Sequence, residues 1–128
     1  MGLSNGSVGA AIAVTDMTRA VEFYEGKLGL TASGGEQPDG GRNYECGGGT
    51  NLHVFPSPMA RPSGATVAGW RVDDVEGTID DLIAKGVTPE QYGEGPFATD
   101  AKGLAHMQGF VGAWVKDPDG NVLSIGNG

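Results

Sequence analysis

Ala10-Ala11-Ile12-Ala13-Val14-Thr15-Asp16 and Ala68-Gly69-Trp70-Arg71-Val72-Asp73-Asp74 carry one pattern written twice. Each is an apolar strand that runs into an acidic residue suited to helix capping, because a carboxylate there accepts from backbone N–H groups that the first helical turn leaves unpaired. A helical segment follows in both cases. Each segment closes on a glycine able to take the left-handed conformation, in Lys27-Leu28-Gly29-Leu30 and in Ala84-Lys85-Gly86-Val87. Asp16 corresponds to Asp74 and Gly29 to Gly86 at nearly the same offset. A duplicated unit constrains architecture more than any single element does, so a strand-helix unit followed by more strands is expected in each half.

Ala20, Val21, Tyr24 and Leu28 recur at helical spacing with Phe23 beside them, and Val75, Ile79, Leu82 and Ile83 do likewise. Both sets read as faces packed on a sheet, which makes Phe23 and Tyr24 core residues. Arg42 to Cys46 and Asn51 to Phe55 flank Gly47-Gly48-Gly49-Thr50 and predict a hairpin. Those glycines are no phosphate cradle, since a cradle joins a strand to a helix N-terminus and here strand-like residues lie on both sides. Gly93 to Gly109 is a long segment with little periodicity, expected to border a cleft as a flap. Phe110 to Lys116, a turn at Asp117-Pro118-Asp119-Gly120-Asn121, and Val122 to Ile125 complete the second half. The expected organisation is a flexible segment 1–7, one domain over 8–125 (first repeat 8–56, proline-rich connector 57–64, second repeat 65–125), and a flexible tail 126–128.

The chain has 128 residues, long enough for one domain with a buried core. Its 16 acidic and 8 basic residues leave a net charge of −8, which argues against a nucleic-acid partner, because phosphate-backbone affinity rests on clusters of Lys and Arg. Cationic or neutral ligands fit that balance better. The single cysteine, Cys46, has no partner for an internal disulfide and no nearby Lys or His to activate it, so it reads as an inert thiol. No signal-peptide pattern or membrane-length apolar run is present, which leads to the expectation of a cytoplasmic protein with no membrane partner.

Val14-Thr15-Asp16, Phe23-Tyr24, Leu28-Gly29-Leu30, Val72-Asp73-Asp74, Lys85-Gly86-Val87 and Trp114-Val115-Lys116-Asp117-Pro118-Asp119-Gly120-Asn121-Val122-Leu123 come in an order that spans almost the whole chain. Each is weak alone; together they resemble the vicinal oxygen chelate superfamily, the glyoxalase, bleomycin-resistance and dioxygenase group. The resemblance implies an α+β fold of two tandem βαβββ repeats forming an incomplete β-barrel, often as a homodimer, with the site in the cup. It also implies a divalent metal held by one first-strand residue and one later-strand residue from each half. Carried onto this sequence, those positions are Gly9, His53, Val67 and Ser124. One strong donor, one poor donor and two residues with none do not make a zinc or magnesium site, so no metal and no other cofactor is expected. A shifted site joining His106 and Glu45 to His53 is the alternative.

Side chains alternate across a strand, so residues two apart from those positions share the cup face. This places Gly9, Ala11 and Ala13, then Asn51, His53 and Phe55, then Val67, Gly69 and Arg71, and finally Val122 and Ser124, toward a ligand. The opposite parity, Ile12, Val14, Leu52, Val54, Trp70, Val72, Leu123 and Ile125, belongs under the helices. Tyr44, Tyr92, Phe97, His106 and Trp114 are candidates for the rim, and sequence does not fix which way they face. The ligand-binding set is therefore Asn51, His53, Phe55, Val67, Arg71, Ser124, His106 and Trp114, with His53 the candidate catalytic acid or base and Arg71 a candidate anchor for a carboxylate or phosphate.

Three functions fit these residues. The first is a metal-independent small-molecule binding protein, for sequestration or resistance. The second is an enzyme of the lyase, isomerase or dioxygenase type, using His53 or an unusual metal site. The third is an accessory domain with a vestigial cleft. The missing metal donors favour the first, so the balance leans away from catalysis.

Overall fold

A computed structural model describes residues 2–128, so Met1, the first residue of the segment 1–7 expected to be flexible, lies outside it. The first half contains β1 (Ala10–Val14), α1 (Met17–Val21) running on into wider helical turns over Glu22–Lys27, β2 (Thr31–Glu36), β3 (Arg42–Glu45) and β4 (Asn51–Pro56). The second contains β5 (Thr66–Arg71), α2 (Val75–Ala84), β6 (Ala105–Met107), β7 (Phe110–Lys116) and β8 (Val122–Gly126). The sheets have the orders β1-β4-β3-β2 and β5-β8-β7-β6. In each, the first strand pairs parallel with the last and the remaining pairs are antiparallel. The chain is thus a doubled βαβββ unit of α+β class, and the two sheets are not closed into a barrel.

The capping chemistry follows the repeat. Asp16 accepts from the N–H groups of Thr18 and Arg19, and Asp74 accepts from that of Gly77. Gly29 (φ 74°) and Gly86 (φ 90°) take the left-handed conformation at the two helix ends, where a side chain would be strained.

One core serves both halves. Ile12, Val14, Leu52 and Val54 from the first sheet and Leu123 and Ile125 from the second are buried in it, with Trp70 and Val72 packed at its margin, as strand parity predicts. Val75, Ile79 and Leu82 form the buried stripe of α2, at spacings of four and three. Ile83, expected on that stripe, is instead exposed, one position around the helix. In the first half the helix widens after Val21, and Leu28 N–H bonds to Phe23 O, five residues back. Phe23 and Tyr24 are buried there edge-to-face, with ring centroids 5.2 Å apart.

Two elements have little sequence signal. β2 is Thr-Ala-Ser-Gly-Gly-Glu, with no alternation and a register shift between Ser33 and Glu36, and β6 is three residues inside the segment read as a loop. Gly126, placed in a fraying tail by sequence, ends β8, and Asn127 bonds to Val111 through its N–H (3.2 Å) and its Oδ1 (2.8 Å). No helix of the described residues is long and apolar enough to cross a membrane.

Candidate functional site

The register of the second sheet sets out the site as a grid. Gly69 pairs with Ser124 and Ser124 with Trp114; one step along, Arg71 pairs with Gly126 and Gly126 with Gly112. Directly paired residues present their side chains to one face. That face points away from α2, because the alternate residues Ala113, Val115 and Ile125 are the ones buried in the core. Arg71 and Trp114 therefore stand at diagonal corners of a floor made by Gly69, Ser124 and Gly126. Gly69 lies close to its neighbour, since a Cβ there would sit 2.4 Å from Ser124 Oγ. The fourth corner, Gly112, lies beneath the Met107 methyl, which is 3.0 Å from where a Cβ would be.

A hollow of about 520 Å³ lies over this floor, walled by Trp114, Phe97, Met107 and Phe110. A second of about 790 Å³ lies on the other side of β5, against Val8 to Ala10, the Cys46 to Gly48 turn and Asn51. The two meet along Gly69, Trp70 and Arg71. Trp114 is half-buried, and Tyr92 and Phe97 stand edge-on to it at 5.4 and 6.1 Å.

The segment that delivers Tyr92 and Phe97 is pinned at several points. Glu90 N–H donates to Trp114 O (2.8 Å), Tyr92 N–H to Thr99 Oγ1 (2.8 Å) and Thr99 N–H to Tyr92 O (2.7 Å). Lys102 Nζ reaches Asp80 Oδ1 (3.0 Å) and Glu76 Oε2 (3.1 Å) on α2, and these two carboxylates, Asp80 first, raise the Lys102 pKa. His106 Nε2 is 2.9 Å from Asp100 Oδ2, a hydrogen bond that lowers the Asp100 pKa.

On the first sheet, Ala11, His53 and Asn43 form a row across β1, β4 and β3. His53 Nδ1 lies 2.7 Å from Asn43 Oδ1 and its Nε2 2.7 Å from Asp39 Oδ2, while its ring stacks on Phe55 at 5.5 Å. The hydrogen bond from His53 is the main cause of a lowered Asp39 pKa. With both nitrogens engaged, neither is free to take a substrate proton in this arrangement.

The sequence-predicted site residues thus divide. Arg71, Ser124 and Trp114 are brought together, and Asn51 lines the larger hollow that shares Arg71. His53 and Phe55 form a separate cluster that lines neither hollow. Val67 is the extra residue of a β5 irregularity between Thr66 and Ala68, and Val122 is buried. His106 pairs with Val111, so it takes the parity opposite to Ala105 and Met107 and faces away from the floor. Tyr44, a rim candidate whose facing sequence left open, lies in the core: it pairs with Leu52, is fully buried, stacks with Tyr24 at 6.3 Å, and donates its hydroxyl to Glu25 Oε2 at 3.0 Å. Asn43, Asp39, Gly112, Gly126 and Met107 were missed; the strand parity that placed Ser124 reaches Gly126 along the same strand, and the pairing of β7 with β8 then brings in Trp114 and Gly112.

A divalent ion does not fit the positions where the resemblance would put it. Gly9 and Val67 offer no side-chain donor, and both His53 nitrogens are already bonded. Among the described residues, no three His, Cys, Asp or Glu side chains are grouped so as to hold an ion.

The family profile described as Glyoxalase/Bleomycin resistance protein/Dioxygenase superfamily matches residues 8–125. The chain belongs to that superfamily. Among solved members of the fold, a glyoxalase/bleomycin resistance protein from Streptomyces sp. CB03234 is 25% identical, with a TM-score of 0.65 and coverage of 92% of this chain and 98% of that one. TnmS3, an antibiotic binding protein from the same Streptomyces, is 24% identical, with a TM-score of 0.64 and coverage of 94% and 95%. A glyoxalase family protein from Enterococcus faecalis is 22% identical, with a TM-score of 0.68 and coverage of 98% and 99%. No curated protein sequence matches this superfamily member.

Proposed function

We propose that this chain is a small-molecule binding protein that holds its ligand on the open face of the second sheet without a metal, in a sequestration or resistance role. The observation that carries the reading is the floor of Gly69, Ser124 and Gly126 beside the half-exposed Trp114, a surface open to a flat ligand and walled by aromatic rings. A pocket with apolar walls and a few polar anchors is the usual form of a small-molecule site. Two further points support it. Two of the four positions that would hold the superfamily's metal, Gly9 and Val67, carry no side-chain donor, and TnmS3, which shares the fold, is by name an antibiotic binding protein. In this reading the flap is Gly93 to Gly109, which carries Phe97, the chain works as a homodimer, and nucleic acid is not a partner.

The test is a thermal-shift screen of aromatic compounds with and without a chelator, since any ligand of the native state raises the melting temperature. The same shift in both conditions supports the reading; a shift that appears only with added divalent ion overturns it.

One observation favours an enzyme instead, the 2.7 Å contact between His53 and Asp39, because a carboxylate commonly orients a catalytic imidazole. Asn43 occupies the other ring nitrogen, and neither hollow reaches the ring. His53→Ala should therefore leave ligand binding intact, and a turnover that it abolishes would restore the enzymatic reading.

A further inference from the structure

The two hollows that meet at β5 contain one charged side chain. Among the described residues lining either of them, Arg71 is the sole Lys, Arg, Asp or Glu, in a chain whose net charge is −8. Acidic residues outnumber basic ones two to one overall, yet none of them lines either hollow. The guanidinium is also nearly uncommitted. Its ion-pair partner, Asp73, lies 3.6 Å away, and the two side chains are 69% and 97% exposed, a geometry that contributes little and yields readily to a better partner.

The grid fixes size as well as charge. Arg71 and Trp114 lie two strands and one row apart, which puts their backbones roughly 12 Å from each other at normal sheet spacings. Between them the floor has no side chain larger than the Ser124 hydroxyl. Met107 closes the far corner with a thioether that can shift to fit a ring. A flat two-ring aromatic fills that span when one end rests on the Trp114 ring and the other reaches the guanidinium. Arg presents paired N–H donors in a plane, which suits a carboxylate better than a neutral amide and repels an ammonium.

We infer that the ligand is a flat aromatic anion of about two fused rings, lying on the Gly69-Ser124-Gly126 floor with its ring against Trp114 and its acidic group on Arg71. This deepens the proposed function and rests on it. It also reverses what net charge alone suggests, namely that cationic or neutral ligands fit better.

Three probes of one shape separate charge from stacking: 2-naphthoate, 2-naphthamide and 2-naphthylmethylammonium, titrated by calorimetry against the full chain at pH 7. The expected order is carboxylate, then amide, then ammonium, with about a tenfold gap between the first two from the charge-assisted contact. Arg71→Met should bring the carboxylate down to the amide. Arg71 is mostly exposed, so this variant should fold. Arg61→Met, which removes an equal charge from the connector, should leave the order unchanged. Amide and carboxylate binding alike, or ammonium binding best, would overturn the anion while leaving a ligand-binding site in place. Failure of all three probes to bind, with the fold intact, would remove the inference alone, and the thermal-shift screen with and without chelator would still decide the proposed function.

Discussion

Tyr24 donates its hydroxyl to Asp117 Oδ2 at 2.8 Å in the interior, joining the helix of the first half to the closing turn of the second. The same carboxylate accepts from Asn121 Nδ2 (2.9 Å), and its Oδ1 accepts from the N–H groups of Asp119 (3.0 Å) and Asn121 (2.8 Å). Asn121 Nδ2 also donates to Ala13 O (3.1 Å), and Asp119 accepts from Thr15 Oγ1 (2.6 Å). The turn that ends the repeat is thus the clasp between repeats. Burial first, then the Asp117 charge, push the Tyr24 pKa up, so the phenol remains a neutral donor.

Tyr24→Phe should therefore destabilise the fold by about 1.5–3 kcal/mol, the usual effect of removing a donor from a buried charged acceptor. Urea denaturation measures it. A change near zero would mean that the halves are held by the apolar core alone.

Gly41→Ala probes a close approach of a different kind. A Cβ there would meet Val54 O at 2.4 Å and Phe55 Cα at 2.9 Å, both backbone atoms of the neighbouring strand. Backbone cannot rotate aside, so a loss of about 1–3 kcal/mol is expected from the forced shift. Gly69→Ala meets only the Ser124 hydroxyl and should cost clearly less, since that group can turn away. Equal melting temperatures for the two variants would contradict this distinction.

The division between what sequence showed and what it did not follows these same contacts. The duplication was legible because Asp16, Asp74, Gly29 and Gly86 carry capping and left-handed backbone chemistry, which is local and needs no partner. The core face was legible because Ile12, Val54 and Leu123 obey strand parity. Parity also placed Ser124 and Arg71 on the ligand face. It could not show that Asn43 and Asp39 would claim His53, because those contacts depend on the β3–β4 register and on the path of the β2–β3 connection, across separations of ten and fourteen residues. The facing of Tyr44 was open for a similar reason: its hydroxyl suits a rim, and only Glu25, brought near by the helix, satisfies it in the core. The wide turns after Val21 gave no signal, since the apolar spacing there also suits an ordinary helix.

Asp39 offers a pH test of the His53 cluster. Its carboxyl is held below the ordinary 3.8, chiefly by the His53 hydrogen bond. A depressed folded pKa means that the stabilisation is complete above the unfolded value and is lost as pH falls through the lower, folded one. NMR titration of the side-chain carboxyl should give a midpoint below 3.8, and His53→Gln should raise it toward 3.8. An unchanged midpoint in the variant would show that the pairing is absent in solution.

The claim that matters most is where the ligand sits and that it sits there unaided. Backbone NMR shifts of the chain on addition of 2-naphthoate, in the presence of a chelator, test both at once. The expected perturbations fall on Gly69, Arg71, Trp114, Ser124 and Gly126. Shifts centred on His53, Asn43 and Asp39, or binding that requires a divalent ion, would contradict the account.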